Sequence, residues 1–322
     1  MSETVATLLE AHRHDPGRIR ETIRRSFRRI RAADDPAIFI SLRDEDSVLA
    51  EAEALLSDNS RNGALFGIPV AVKDNIDAAG LFTTAACPAY SYKPDRDATV
   101  VARLRKAGAL IIGKTNLDQF ATGLVGVRSP YGTPRNAMRP DLVPGGSSSG
   151  SAVAVARGIV PLALGTDTAG SGRVPAAFNG LVGLKPTRGL LSTTGIVPAC
   201  RSLDCVSIFT VSAADAGTVW RVAQGFDAAD PYSRTAAAGA GAAHSKLGQN
   251  VEENYNRYKY WFRYTPTKDV DLARTLFAVM ASIAQQVRTQ LKTETPKVAI
   301  LAEKAVWTGG LIAAAQKNLP LM

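Results

Sequence analysis

Apolar residues near the N-terminus recur with helical spacing. Between residues 11 and 57 this pattern predicts two helices, the second from about residue 46 to residue 56. The first helix carries eight arginines between Arg13 and Arg31. Its apolar positions, three or four residues apart, are Ile19, Ile23, Phe27 and Ile30. The arginines therefore predict the solvated face of an amphipathic helix packed on the body of the protein, rather than a nucleic-acid-binding surface.

From residue 65 the pattern changes to short apolar runs separated by glycine. It predicts strands at 68–72, 109–112 and 160–164, and helices at 99–107, from about residue 116, and at 152–157. Such alternation of strands and helices is typical of an α/β fold.

Composition changes again near residue 235. Residues 235–246 are rich in alanine and glycine and predict a linker. Beyond it, a helical pattern at 272–291 predicts a helix-rich tail over 247–322, which could be a diverged remainder of the preceding domain. Residues 1–234 then form the core, together with the N-terminal helices.

Length and composition allow a large hydrophobic core. The chain has 322 residues, 46% of them hydrophobic, and a formal net charge of +9. The first residues do not form a basic, then apolar, leader, and Arg157 and Pro161 interrupt the longest apolar stretch. We therefore expect a cytoplasmic protein without a membrane partner.

The cysteines and histidines do not suggest a metal site. Cys87, Cys200 and Cys205 form no CxxC pair, and the chain has only three histidines. We expect no metal, and reduced, mostly buried cysteines.

A catalytic serine needs a base, and the histidines are poorly placed to serve. His12 and His14 lie in the arginine-rich region, and His244 lies in the predicted linker. Lysine is the remaining common base, and it must be buried to be partly neutral. Lys73 is the best candidate because it ends the apolar run at 67–72.

Two glycine-rich segments supply candidate serines. Residues 144–151, Pro-Gly-Gly-Ser-Ser-Ser-Gly-Ser, could alone be a phosphate-binding loop or a spacer, but they lack the Gly-Lys-Ser/Thr ending of a P-loop. In residues 165–175, Gly-Thr-Asp-Thr-Ala-Gly-Ser-Gly-Arg-Val-Pro, small residues let backbone N–H groups converge beside Ser171. Ser171 is therefore the candidate nucleophile.

Together with Lys73, these segments resemble the amidase-signature family. The resemblance implies a central mixed β-sheet covered by helices on both faces, in a fold that could be incomplete at its C-terminal end. It implies that Ser147, 24 residues before Ser171, bridges Lys73 and Ser171 after a cis Gly146–Ser147 peptide. The implied oxyanion donors are the N–H groups of Thr168, Ala169, Gly170 and Ser171. Acyl transfer then needs no cofactor. Asp167 and Arg173 are expected to pair across the loop and support its shape.

Finer features resemble the allophanate hydrolase branch of the family. They are residues 168–176, Thr-Ala-Gly-Ser-Gly-Arg-Val-Pro-Ala, and the segments 123–131 and 189–204. The resemblance covers roughly residues 60–234, and the tail after about residue 235 does not match. It implies hydrolysis of allophanate, urea-1-carboxylate, to ammonia and carbon dioxide, and it makes a homodimer an expectation.

Alternatives stay open because the family's substrate-binding segment, of the type Tyr-x-Gly-Pro-Trp-Val-x-Glu-Arg, has no counterpart here. The chain could hydrolyse another small amide, or be a truncated or fused chain that keeps the motifs without activity. A third alternative is a non-catalytic binding protein that uses the basic helix or the aromatic and basic stretch at 255–264 to hold nucleic acid.

Overall fold

The computed structural model of the protein describes residues 3–57 and 63–235. Seven α-helices lie within these ranges: α1 Val5–His14, α2 Arg18–Ala33, α3 Glu45–Ser57, α4 Thr99–Lys106, α5 Ser149–Ala156, α6 Arg173–Phe178 and α7 Ala213–Ala223. The strands are β1 Phe39–Leu42, β2 Pro69–Lys73, β3 Leu110–Thr115, β4 Leu162–Thr166, β5 Val182–Leu184 and β6 Val206–Thr210. The predicted tail and, apart from residue 235, the predicted linker lie outside the described residues.

The six strands form one mixed sheet in the order β1-β3-β2-β4-β6-β5. The central strands β3, β2 and β4 are parallel, whereas β1, β6 and β5 run antiparallel to their neighbours β3, β4 and β6. Every residue of β2, β3, β4 and β6 is buried, so both faces of the sheet centre are covered. The predicted α/β fold with a mixed sheet and flanking helices is confirmed.

The arginine-rich helix packs as its pattern predicts. In α2, Ile19, Ile23 and Phe27 are buried, and Ile30 packs against the same core. Several of its arginines form ion pairs with glutamates, among them Arg20 with Glu53 and Arg31 with Glu45 of α3, and Arg25 and Arg29 with Glu3. Much of the local positive charge is therefore neutralised within the fold.

The prediction of two helices between residues 11 and 57 is wrong in detail. The first is split into α1 and α2 at Asp15–Gly17, where Pro16 has no N–H to continue the helix. Strand β1 between α2 and α3 was not predicted. It is short and joins the sheet edge only through β3.

The helix predicted from about residue 116 is absent. Its residues form a loop with one 3-10 turn, Gln119–Ala121, in which Phe120 and Ala121 have positive φ. Asn116 donates its side-chain amide to Ala37 O and Gly132 O, and Asp118 accepts backbone N–H groups. These polar side chains hold other segments of backbone, which favours a loop over a helix.

The expectation of mostly buried cysteines is also wrong. Cys205 is buried, but Cys87 is half-buried and Cys200 is exposed. Cys200 lies in a turn whose backbone N–H donates to the buried Asp204 carboxylate, so the turn buries the aspartate and not the thiol.

Candidate active site

Lys73 and Thr166 meet because their strands are parallel neighbours. Strand β2 ends at Lys73 and β4 ends at Thr166, with Val72 opposite Leu164, so both side chains emerge at the same edge of the sheet. Lys73 Nζ donates hydrogen bonds to Thr166 Oγ1 at 2.6 Å and to Ser147 Oγ at 2.8 Å. The lysine side chain is completely buried.

Burial makes Lys73 a base that is partly neutral near neutral pH. Loss of hydration lowers the pKa of Lys73 from 10.5 to about 7. The negative charges of Asp118, Asp167 and Asp204 oppose this effect. The amine can therefore gain and release a proton under physiological conditions.

Ser147 stands in the glycine/serine loop before α5. The Gly146–Ser147 peptide is cis, as predicted. Ser147 is fully buried, and its carbonyl accepts a hydrogen bond from Asp118 N at 3.0 Å. The hydroxyl is thereby held against Lys73.

Ser171 lies in the loop between β4 and α6, and 3% of its surface is exposed. Its Oγ donates to Gly123 O at 3.4 Å, and its carbonyl accepts from Ser148 N at 3.3 Å. In the part of the chain that the structure describes, no hydrogen bond joins Ser171 Oγ to Ser147 Oγ. The structure thus brings Lys73 and Ser147 into contact and places Ser171 in the adjoining loop.

The loop at 167–171 offers backbone donors. Gly170 has a φ of +142°, a conformation that residues with a side chain rarely adopt. Within residues 3–57 and 63–235, the N–H groups of Thr168, Gly170 and Ser171 donate no hydrogen bond. Thr168 Oγ1 donates to Asp204, which anchors the loop to the 199–204 turn.

Asp167 and Arg173 form the ion pair expected across this loop. Arg173 Nε and a terminal guanidinium nitrogen each donate to the Asp167 carboxylate at 2.8 Å. The same carboxylate accepts from the backbone N–H groups of Gly172 and Arg173 at 3.1 Å. Burial opposes the charge, but these donors outweigh it and hold the pKa of Asp167 below its ordinary value. The loop around Ser171 is therefore braced from within.

Sequence reasoning missed four polar residues of the site. Thr166, Asn75, Asp118 and Asp204 are each at least 95% buried, and they surround Lys73 or hold the 167–171 loop. Asn75 Nδ2 donates to Thr166 Oγ1 and to Val197 O. Thr166 and Asp204 lie inside the segments 165–175 and 189–204 already described, so their polar character was a usable signal, whereas nothing local distinguishes Asn75 or Asp118.

The histidines lie away from this site where the structure describes them. His12 is buried between Phe66 O and Thr22 Oγ1, and burial lowers its pKa. Among the described residues, no group of His, Cys, Asp or Glu is arranged to hold a metal ion. Nor does this part of the chain contain a helix long and apolar enough to cross a membrane.

A family model described as Amidase matches residues 21–299, so the chain belongs to the amidase family. The resemblance drawn from the motifs is thereby confirmed, and the match extends past residue 234 into the predicted linker and tail. A urea amidolyase from Saccharomyces cerevisiae is 59% identical over 198 residues, which are 61% of this chain and 11% of that relative. An indoleacetamide hydrolase from Pseudomonas savastanoi is 44% identical over 61% of this chain and 43% of its own length.

A solved structure of a Kluyveromyces lactis allophanate hydrolase shares the fold. It is 50% identical, with a TM-score of 0.68, over 73% of this chain and 39% of that chain. The chain thus spans less than half the length of each of these relatives.

Proposed function

We propose that this chain is an amide hydrolase in which Ser171 is the nucleophile and Lys73, acting through Ser147, is the base. The observation that carries the proposal is the fully buried Lys73, whose Nζ lies 2.8 Å from Ser147 Oγ, with its pKa lowered to about 7. A lysine at that pKa can take a proton from a hydroxyl at neutral pH.

The proposed reaction begins with neutral Lys73. Its lone pair accepts the Ser147 proton, Thr166 Oγ1 accepts one of its N–H groups, and Ser147 takes the proton of Ser171. For this step the Ser171 hydroxyl turns from Gly123 O towards Ser147. The Ser171 oxygen attacks the amide carbonyl. The C–N bond then breaks as the proton taken from Ser171 passes to the leaving nitrogen.

The developing oxyanion would be stabilised by backbone N–H groups of the nucleophile loop, those of Thr168, Ala169, Gly170 and Ser171. Asp167 and Arg173 would keep these donors in place. Water then attacks the acyl-enzyme along the same proton path and restores Ser171.

The proposed substrate is allophanate. Acylation releases its terminal nitrogen as ammonia, and water releases the acyl group as N-carboxycarbamate, which breaks down in water to carbon dioxide and a second ammonia. The 59% identity to a urea amidolyase and the 50% identity to an allophanate hydrolase support this choice. A second candidate is another small amide, favoured by the 44% identity to an indoleacetamide hydrolase.

Ammonia release from allophanate tests the proposal. Activity should disappear in Ser171→Ala and in Lys73→Ala. Ser26→Ala is a matched control, because Ser26 is buried in α2 and donates only to Thr22 O. Loss of activity in the control as well would contradict the assignment.

Labelling by a serine-directed fluorophosphonate separates the chemistry from the substrate. Labelling that requires Ser171, without ammonia release from allophanate, would retain the hydrolase and replace the substrate with another amide. If the parent protein is not labelled, the assignment of Ser171 as the nucleophile is refuted.

A further inference from the structure

Asp118 is a buried carboxylate that the proposed reaction does not use. It is completely buried, and its two oxygens accept backbone hydrogen bonds from Gly126 N at 3.0 Å and Arg128 N at 2.8 Å. Across residues 3–57 and 63–235, no lysine or arginine side chain forms an ion pair with it. A buried carboxylate whose hydrogen-bond donors are backbone N–H groups alone lowers the stability of the fold, which suggests that it is retained for a function.

The Asp118 side chain shapes the two loops that carry the serines. A Cβ added at Gly123 would approach Asp118 Oδ2 to 2.5 Å, and one added at Gly146 would overlap the same atom. Asp118 N donates to Ser147 O at 3.0 Å, and Gly146 N donates to Leu124 O at 2.8 Å. The 123–128 loop and the Gly146–Ser147 peptide are therefore both packed on this one carboxylate.

We propose that Asp118 is a positioning residue for acyl transfer, which fixes Gly123 against Ser171 and Ser147 against Lys73 and whose negative charge acts on the lysine. This inference rests on the proposed function. Its geometric part follows from contacts, since Gly123 O accepts the Ser171 hydroxyl and Ser147 Oγ accepts from Lys73.

The charge of Asp118 acts on Lys73 with less compensation than its neighbours. Asp167 also faces the lysine, but Arg173 neutralises it through two hydrogen bonds. Asp204 is surrounded by the Thr168 hydroxyl and by backbone N–H groups of the 199–204 turn. All three carboxylates favour protonated Lys73, and among the described residues Asp118 is the one of them whose hydrogen-bond donors are backbone N–H groups alone.

Asp74 and Lys114 form a second charged pair near Lys73, in which the two charges neutralise each other. Asp74 follows Lys73 in sequence, and its Oδ1 lies 3.3 Å from Lys114 Nζ with both side chains fully buried. Asp118 raises the pKa of Lys73 and burial lowers it. Removing the charge of Asp118 should therefore lower the pKa of Lys73 further, because the effect of burial remains.

The test is the pH dependence of fluorophosphonate labelling in Asp118→Asn. The labelling rate should rise with pH as Lys73 loses its proton, which is the acid limb of the profile, and then reach a plateau. We expect the acid limb to move to lower pH by about one unit, and the plateau rate to fall roughly tenfold to a hundredfold as the loops shift. Asp215→Asn is the matched control, because Asp215 is also buried and accepts two backbone N–H groups, those of Val5 and Ala6 in α1, which are not residues of the site. It should leave the limb and the plateau unchanged.

A second variant keeps the inference testable if Asp118→Asn does not fold. Gly123→Ala presses a methyl group against the Asp118 carboxylate without changing any charge, so the plateau should fall while the limb stays in place. An unmoved limb in a folded Asp118→Asn, or an unchanged plateau in Gly123→Ala, would overturn the inference. In either case the proposed function survives as long as the parent protein is labelled at Ser171.

Discussion

Replacing Lys73 with methionine should change how the stability of the protein depends on pH. Methionine keeps an unbranched apolar side chain in the buried site and removes the amine. In the folded parent the pKa of Lys73 is about 7, against an ordinary value of 10.5 that applies to the unfolded chain. Between these values the unfolded chain binds a proton that the folded chain does not, so the unfolding free energy of the parent rises with pH.

The magnitude follows from the distance between the two pKa values. The cost of burying the ammonium is fully present below about pH 7, declines by about 1.4 kcal/mol for each pH unit, and is gone above about pH 10.5. The whole effect is about 5 kcal/mol. Lys73→Met also removes the amine that donates to the hydroxyls of Ser147 and Thr166, which costs about 1–3 kcal/mol at any pH. We therefore expect the variant to be more stable than the parent by about 2–4 kcal/mol below pH 7, and less stable above about pH 10.

Urea unfolding of both proteins at several pH values between about 6 and 9 measures this difference. Other groups titrate equally in parent and variant, so their effects cancel when the two free energies are subtracted. Lys106→Met, at an exposed position in α4, controls for the general loss of a positive charge. A difference between parent and Lys73→Met that does not change with pH would refute the reasoning, because it would mean that the lysine keeps its charge when buried.

Three further predictions concern the surroundings of this lysine and the rest of the core. Thr166→Val removes a hydrogen-bond acceptor of the charged Lys73, so the acid limb of the labelling profile should move to lower pH. Arg173→Gln leaves the buried Asp167 charge without its guanidinium and should lower the unfolding free energy by about 3 kcal/mol in urea titrations. Burial lowers the pKa of His12 in the folded state, so below about pH 6.5 the unfolded chain binds a proton that the folded chain does not, and the parent loses stability. In His12→Gln this loss of unfolding free energy with falling pH should be less steep. Equal slopes in parent and variant would contradict this.

The parts of the site that the sequence predicted are those written in local motifs. Lys73 ends a wholly apolar strand, and Ser147 and Ser171 stand in glycine-framed segments, so residue type and immediate context were enough to propose each of them. The same holds for the alternation of β2, α4, β3, α5 and β4, where apolar runs mark the buried strands and helices.

The parts that were missed depend on contacts between distant segments. Asn116 serves backbone groups of residues 37 and 132, and Asp118 serves the 123–128 loop, so a stretch with some helical pattern becomes a loop. Strand β1 forms because it pairs with the edge of β3, and this pairing cannot be read from its own four residues.

If Lys73 is the proposed base, this one side chain links the activity of the fold with its stability. Burial alone would lower the pKa of Lys73 further, and the carboxylates around it limit that effect to a value near 7. A change that favours the neutral amine, such as Asp118→Asn, should make the base available at lower pH while raising the cost of its charged form. A change that removes the amine, such as Lys73→Met, should relieve that cost and abolish labelling of Ser171. Stability at low pH and catalytic competence should therefore separate when this one side chain is replaced, as expected where a destabilising buried charge is kept for its chemistry.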